Sequence, residues 1–398
     1  MSTLPTRLQP LWPLAKRAHR LLSLLLGTCF RLAAPLLGPD AVPRTATARS
    51  ADTAAREPAA VTLHPAGPAE HVERGVPEGL PAGHWRYADA ARADLPERYL
   101  LEVRDGRLVG EFGATVTPGG TLDYQTSGYF GLSSWREHPL YLHPRLGRVE
   151  HVPGTVLSLT TRGTAENYYH FLYDAIGRYG IVEDALPTAG IDAVVVPHRA
   201  GYQRALLELA GIAGRLIEPR PDVTIRADRL LVPSTPNQDL DAPASTVAWL
   251  RGRLRPSGST DTPRRLYLTR GDRPNTRRYV HEAQLWPWLE RRGFTRVDPG
   301  RYSVQEQIDL FHGADVVIAP HGAGLANITF CRPGTRVLEL FADTYVHLGL
   351  WAIAAAVGLD YHYLVGDGAP AARRPMTGVL TDVTVPVELV QGFVATTT

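Results

Sequence analysis

Lysine is nearly missing from this 398-residue chain. Lys16 is the only one, and the other 41 basic residues are arginine. With abundant alanine, glycine and proline, that bias marks a GC-rich coding background. Arginine clusters are therefore read by position, not by count. Cysteine is scarce too: Cys29 and Cys331 stand far apart, which argues against a disulfide framework or a cysteine-based zinc site and fits a reducing compartment. No excess of one charge exists. The formal net charge is +2, so nothing global points to nucleic acid. What remains is an ordinary apolar fraction of 44% in a chain long enough for two domains and a sizeable core.

A long, clean hydrophobic run is also lacking. Lys16, Arg17, His19 and Arg20 precede Leu21–Leu26, and the apolar stretch reaches Leu37 with Arg31 and Pro35 inside it. A spanning helix needs about 20 mostly apolar residues, and a central arginine costs about 2.5–3.5 kcal/mol on insertion scales. Residues 16–37 are expected to lie on a membrane surface as a basic amphipathic stretch, with a cleaved signal peptide as the alternative. Residues from Asp40 to Glu78 are rich in Ala, Pro, Thr and Arg and show little apolar periodicity. Residues 1–78 are thus read as a leader and a disordered linker.

Residues 79–255 and 256–398 form the two expected domains. The first opens with short strand signals. Leu100–Val103, Asp105-Gly106 and Leu108-Val109 read as a hairpin. After Val152 strands and helices alternate: Val156–Leu159, the helix Asn167–Tyr179, Ala193–Val196, Tyr202–Leu209 and Arg229–Val232. A second alternating series runs Arg265–Leu268, Glu282–Arg291, Thr295–Val297, Val304–His312, Asp315–Ala319, Ala323–Phe330, Arg336–Phe341, Tyr345–Val357 and Tyr361–Val365. Such alternation implies parallel βαβ units. The expected class is α/β: two Rossmann-like domains with a cleft between them, preceded by a β-rich N-terminal part.

Four places carry chemistry. After the apolar strand Asp315–Ala319 come Pro320, His321 and Gly322-Ala323-Gly324, then Leu325 and Asn327. A helix beginning there turns its free N–H groups toward an anion, and glycine lets a phosphate approach the backbone. Next, Thr269 to Arg278 follows a strand, where α/β ligands bind, and arginine forks match phosphate oxygens. Glu339 sits inside the apolar strand Arg336–Phe341. A carboxylate there needs a partner, either ribose hydroxyls or an arginine. Finally, Asn167, His170, Asp174 and Arg178 form one polar helical stripe, opposite Tyr168, Leu172, Ala175 and Tyr179. His170 or Asp174 is a candidate general base.

These motifs, in this order, resemble glycosyltransferase family 61, the capsular-polysaccharide-type family. The likeness runs through Asn167–Asp174, Arg270 with Arg278, Tyr302–Phe311, Val317–Asn327, Phe330, Pro333-Gly334 and Val337–Glu339. It implies a GT-B fold and an inverting, metal-independent transfer from a nucleotide-sugar, UDP-linked by preference, to a glycan or other hydroxyl acceptor, with no cofactor. Under that reading Arg270, Arg278, His321, Gly322, Ala323, Gly324, Leu325 and Asn327 hold the diphosphate. Glu339 holds the ribose, Asp174 or His170 is the base, and Asn167 and Glu282 line the cleft. Where the family carries an Asn-Glu pair, this chain has His281-Glu282. The expected location is the cytoplasm, with the inner face of the membrane as its second option. Two rivals remain: a nicotinamide oxidoreductase, although Asn327 replaces the third glycine of that fingerprint, and a non-catalytic carbohydrate-binding protein.

Overall fold

A computed structural model describes residues 12–129, 131–132, 134–187, 190–237, 241–271, 277–369, 373 and 380–396. The N-terminal half begins with helix α1 (Trp12–Leu37), strand β1 (Thr45–Thr47), α2 (Ser50–Arg56), β2 (Val61–Gly67), β3 (Glu70–Glu73), β4 (Glu78–Leu80), α3 (Trp85–Asp89) and β5 (Arg92–Leu95). It continues through β6 (Arg98–Val109), β7 (Ala114–Val116), β8 (Thr121–Asp123) and β9 (Arg148–Ser158). A helical run then comprises α4 (Tyr168–His170), a π segment (Phe171–Ile176) and α5 (Gly177–Ala185). After it come β10 (Ala193–Val195), α6 (Gly201–Leu209), β11 (Arg215–Ile217), β12 (Val223–Pro233) and α7 (Ala244–Arg253).

Nine of these strands form one mixed sheet in the order β1-β8-β7-β6-β12-β9-β10-β11, with β2 also on β6, while β3 and β5 pair with each other. The strands β9 to β12 pair in parallel, as expected for βαβ units. The β-rich part does not precede them as a separate unit. Antiparallel pairing of β6 with β12 fuses it into the same sheet.

Two expectations are corrected here. Asp105-Gly106 is no hairpin turn: β6 runs through it as one strand paired with β12. Asp105 takes a positive φ of 52°, and its carboxylate accepts from the Arg226 Nε and Nη2, so the Asp-Gly pair is absorbed within the ladder. Nor is the stretch from Asp40 to Glu78 disordered. Val61 of β2 is buried against β6. In α2, Ser50 Oγ donates to the buried Asp123 Oδ1 at 2.9 Å and Thr53 Oγ1 to its Oδ2 at 2.5 Å. Short polar side chains can be buried when hydrogen-bonded, and apolar periodicity does not reveal that.

The C-terminal half contains β13 (Arg265–Leu268), α8 (Glu282–Glu290), β14 (Thr295–Val297), α9 (Val304–Gly313), β15 (Val316–Pro320), a 3₁₀ stretch (Ala323–Phe330), β16 (Arg336–Phe341), α10 (Gly349–Val357), β17 (Asp360–Val365) and α11 (Val387–Ala395). Its sheet is parallel throughout, ordered β14-β13-β15-β16-β17-β4. The edge strand β4 comes from the N-terminal half, so residue 79 is not a clean boundary. The Tyr363 hydroxyl donates to Pro81 O at 2.5 Å and accepts from His84 N at 3.0 Å. Those bonds fasten the segment 78–89 to the second sheet.

The two α/β halves share one packed core. Leu157, Val194 and Leu231 belong to the same buried cluster as Leu266, Val317 and Val337. Polar ties cross it as well: Tyr168 donates to Asn327 Oδ1 at 2.7 Å, and Arg251 donates to Cys331 O at 2.7 Å. The cleft between the halves therefore has a continuous floor. Arg74 and Asp241 clamp one side of it through a bidentate pair, with one bond of 3.0 Å. Arg74 also packs over Trp351. Arg74 is buried and Asp241 half-buried, and breaking such a pair leaves one charge largely uncompensated. Arg74→Ala is expected to lower unfolding stability by about 3 kcal/mol in denaturant titration, whereas Arg92→Ala, in the exposed Glu73 pair, should change it by less than about 1 kcal/mol.

Candidate active site

Ligands of parallel sheets bind beyond the carboxyl ends of the strands. Here β13 leads into Thr269 and Arg270, β14 into Asp298–Ser303, and β15 into the Gly322–Leu325 turn. With Asn167, Tyr168 and Tyr202 from the N-terminal half, these segments line a cavity of about 780 Å³. Arg270, Gly322, Ala323, Gly324, Leu325 and Asn167 all reach its wall, as expected.

The segment after the glycines is not an α-helix. Residues Ala323–Phe330 wind as 3₁₀ turns, whose hydrogen-bond geometry is poorer. The Leu325 N–H already donates to Gly322 O at 3.0 Å. The turn's own donors are thus a smaller part of an anion site than the sequence suggested, and the arginines a larger one. Arg270 Nη1 and Arg277 Nε both point at the His321 carbonyl, at 3.4 and 3.1 Å. A Cβ on Gly322 would sit 1.6 Å from Arg270 Nη1. Gly322 has an extended φ of 178°, so its need is space for the guanidinium, not backbone freedom. Burial pulls the Arg277 pKa down, opposed by Tyr345 and Glu339, yet a guanidinium stays protonated in proteins.

Arg278, expected in this role, lies elsewhere. Its side chain is exposed beside Asp382, and its backbone bonds Asp382 and Val383. Successive residues of an extended loop face opposite ways, and Arg277 is the one turned inward. Residues Asp272 to Thr276 of this arginine-rich loop lie outside the described residues.

Glu339 is corrected as well. It is wholly buried beneath the cavity, where one oxygen pairs with His321 Nδ1 and the other accepts from the Tyr361 hydroxyl. It is sealed from any ribose and acts on His321 instead. Burial raises its pKa to about 8, opposed by Tyr361 and Arg277. Burial also pushes His321 well down, helped by Arg277 and Arg270. The pair therefore holds a single proton at neutral pH. His321 itself is the floor: its carbonyl receives the arginines, and its ring stacks on Phe341 and His347.

Asn327 and Glu282 also stand behind the wall. Asn327 is fully buried; it accepts from Tyr168 and donates to Gln307 Oε1 at 2.8 Å. It joins the two halves rather than meeting a ligand. Glu282 accepts from Tyr267 at 3.1 Å and from Thr269 Oγ1 at 2.7 Å, which fixes Thr269, a wall residue.

On the other side of the cleft, His170, Asp174 and Arg178 of the polar stripe are buried rather than solvated, and Asn167 is half-buried. Asn167 caps α4 by accepting from His170 N. His170 Nδ1 lies 2.6 Å from Asp174 Oδ2, and Asp174 Oδ1 accepts from Asn237 Nδ2 at 2.7 Å. Arg178 Nε donates to Ser234 O at 3.1 Å, pinning the helix. The π segment spans Phe171–Ile176, and such bulges often occur at functional sites. Gly163 packs on His170, leaving 2.4 Å between an added Cβ and the ring Cγ. An imidazole whose Nδ1 faces a carboxylate presents Nε2 on its far edge. Behind it, burial brings the His347 pKa to about 3, with His321, Arg86, His170 and Arg277 pushing the same way. His347 thus stacks on His321 as a neutral ring.

Sequence reasoning missed Arg277, Asp298 and Tyr302, all in the cavity wall. Each had a signal: Asp298 directly follows β14, at the carboxyl end where ligands bind, Arg277 lies in the Thr269–Arg278 loop, and Tyr302 opens the Tyr302–Phe311 run. The chain also carries an Asp-x-Asp, the pattern metal-dependent transferases often use, as Asp239-Leu240-Asp241. Its Asp241 is engaged with Arg74, and residues 238–240 lie outside the described residues.

The proton shared by His321 and Glu339 has a readable consequence. In the unfolded chain the two groups ionise at ordinary values of 6.5 and 4.5. Below 4.5 the unfolded chain binds one proton more than the native pair, so stability rises with pH. Between 4.5 and 6.5 the counts match. From 6.5 to about 8 the native pair keeps a proton that the unfolded chain has lost, so stability falls as pH rises. Chemical unfolding across pH 6.5–8 should show that decline in the wild type and a level profile in Glu339→Gln; parallel profiles would contradict the assignment.

Residues 168–338 match the family model Glycosyltransferase 61. A β-1,2-xylosyltransferase of rice (Oryza sativa subsp. japonica), RCN11, is 29% identical over 91 residues, which is 23% of this chain and only 16% of that protein's length. Among solved structures, the E. coli heptosyltransferase WaaC with ADP aligns at TM-score 0.33 and 11% identity, over 62% of this chain and 97% of that one.

Proposed function

We propose that this chain, whose residues 168–338 match the family model Glycosyltransferase 61, transfers a sugar from a nucleotide-sugar, UDP-linked by preference, to a hydroxyl acceptor with inversion and without an obligatory metal. The observation that carries the reading is the convergence of Arg270 and Arg277 on the His321 carbonyl beside Gly322. Two guanidinium groups in a walled cavity suit a diphosphate and stabilise the charge that grows on it as the glycosidic bond breaks. In that capacity they do what a metal ion does in other transferases. Asp298, the carboxylate in the wall at the end of β14, takes the ribose role that Glu339 cannot fill. Tyr302 and Tyr202 supply aromatic surface for the base and sugar.

On the acceptor side His170 is the base and Asp174 its orienting partner. The Asp174 carboxylate favours the tautomer with a proton on Nδ1. Nε2 then takes the acceptor's hydroxyl proton as its oxygen attacks the anomeric carbon and the nucleoside diphosphate leaves from the opposite face. Burial of Asp174 and its hydrogen bond from the half-buried Asn237 hold it for that task. Capsule or other polysaccharide synthesis is the expected setting, in the cytoplasm.

Transfer and slow hydrolysis should be measured with UDP-, GDP-, dTDP- and CDP-sugars, by release of the nucleoside diphosphate. Turnover with a UDP-sugar in the presence of EDTA is the expected result. His170→Asn should lower kcat by about 10²–10⁴-fold with donor KM little changed. Full kcat in that variant would remove His170 as base, and stabilisation by NAD alone would favour an oxidoreductase. Gly322→Ala should fold normally, because only the mobile end of Arg270 is displaced. Its donor KM should rise about tenfold or more, read by initial rates; an unchanged KM would separate Arg270 from the donor.

A further inference from the structure

Helix α1 (Trp12–Leu37) lies on the N-terminal half by one face only. Ser23 and Ala34 are buried there, Phe30 packs with Trp135 and Tyr141, and Gly27 comes so close that an added Cβ would be 3.0 Å from the Tyr141 Cβ. Arg31, which interrupts the apolar sequence, belongs to this docked face. Its guanidinium sits 5.1 and 4.9 Å from the ring centres of Trp135 and Tyr141. Arg20 pairs with Glu137 at 2.8 Å.

The opposite face is uncovered. Leu21, Leu25, Leu32 and Leu36 recur at helical spacing along one stripe and are 69%, 62%, 76% and 90% exposed, with Leu22 beside them. With Arg31 turned to the protein, no charged side chain breaks that stripe. The charge pattern names the partner. Arg7, Lys16 and Arg17 lie ahead of the leucine stripe, and no acidic residue precedes Asp40; Arg20 and Arg31 are taken up by the docked face.

We propose that α1 is a built-in membrane-surface anchor that lays its leucine stripe into the interface of a bilayer rich in anionic lipid. An amphipathic helix with an apolar face and a basic end binds in this way, through apolar burial plus attraction to acidic headgroups. By length and composition Arg20–Leu37 could also cross a bilayer. Crossing would strip the docked face from Tyr141 and Trp135 and carry Arg31 into hydrocarbon, whereas lying flat keeps every one of those contacts. Pairing of two copies through the stripe would also cover the leucines but would leave the basic end unanswered. The anchor does not depend on the transfer reaction.

The test is flotation of the full chain with vesicles of phosphatidylcholine alone and of equal parts phosphatidylcholine and phosphatidylglycerol. The anionic vesicles should capture it roughly tenfold or more over the neutral ones, and high salt should weaken capture. The triple variant Leu21→Ser, Leu25→Ser, Leu32→Ser should melt at the wild-type temperature and stay in solution. Arg17→Glu, a change at an exposed site, should lower the preference for anionic lipid. Equal recovery of wild type and triple variant in solution would overturn the proposal. So would capture that resists salt and yields only to detergent, which marks a crossing helix, or a triple variant that changes oligomeric mass and not vesicle binding.

Discussion

Beneath the cavity, a carboxylate with no solvent exposure shares one proton with an imidazole. Glu339 and His321 are that pair, and much of the site hangs on them. Burying either group charged and alone would cost several kcal/mol. Together, and with the Tyr361 hydroxyl, they remain as a neutral, hydrogen-bonded unit. Because the His321 ring is held from below, its carbonyl has one position. That position gathers Arg270 and Arg277 at the end of β15.

The same logic extends across the cleft. Asn327, two turns further on, carries Tyr168 of the opposite half, and Tyr168 begins the helix that presents His170 and Asp174. The floor, the arginines and the histidine pair are therefore parts of one packed body. Segment 78–89 adds to this rigidity by lending its strand to the second sheet. A site built on such elements holds its groups in place before any substrate arrives, which is what electrostatic stabilisation of a leaving group requires.

Much of this was legible in the residues. The strands Arg265–Leu268, Thr295–Val297 and Arg336–Phe341 fall where they were expected, because short strand signals alternating with helical ones mark parallel βαβ units. The polar stripe from Asn167 to Arg178 was also visible from spacing. Its burial was not, since the same pattern describes a solvated face until Asn237 and the strand end at Ser234 come to meet it. The fold of residues 45–73 escaped for a related reason: Ser50 and Thr53 are buried through hydrogen bonds to Asp123, and composition sees only polar residues. Choosing Arg277 over Arg278 required the path of an irregular loop, where no period tells one side from the other. Glu339 misled because a carboxylate in an apolar strand signals a partner but not which one. The partner was the adjacent strand's histidine.

The central claim is that Arg277, with Arg270, holds the diphosphate of the donor, and that its neighbour Arg278 does not. Titration calorimetry with UDP on the wild type, Arg277→Ala and Arg278→Ala separates the two most directly. Losing a charge-assisted contact to a phosphate corresponds to about 1.5–3 kcal/mol, so Arg277→Ala should weaken UDP by about tenfold or more while Arg278→Ala binds as the wild type does. UDP binding that survives Arg277→Ala and fails in Arg278→Ala would contradict the account.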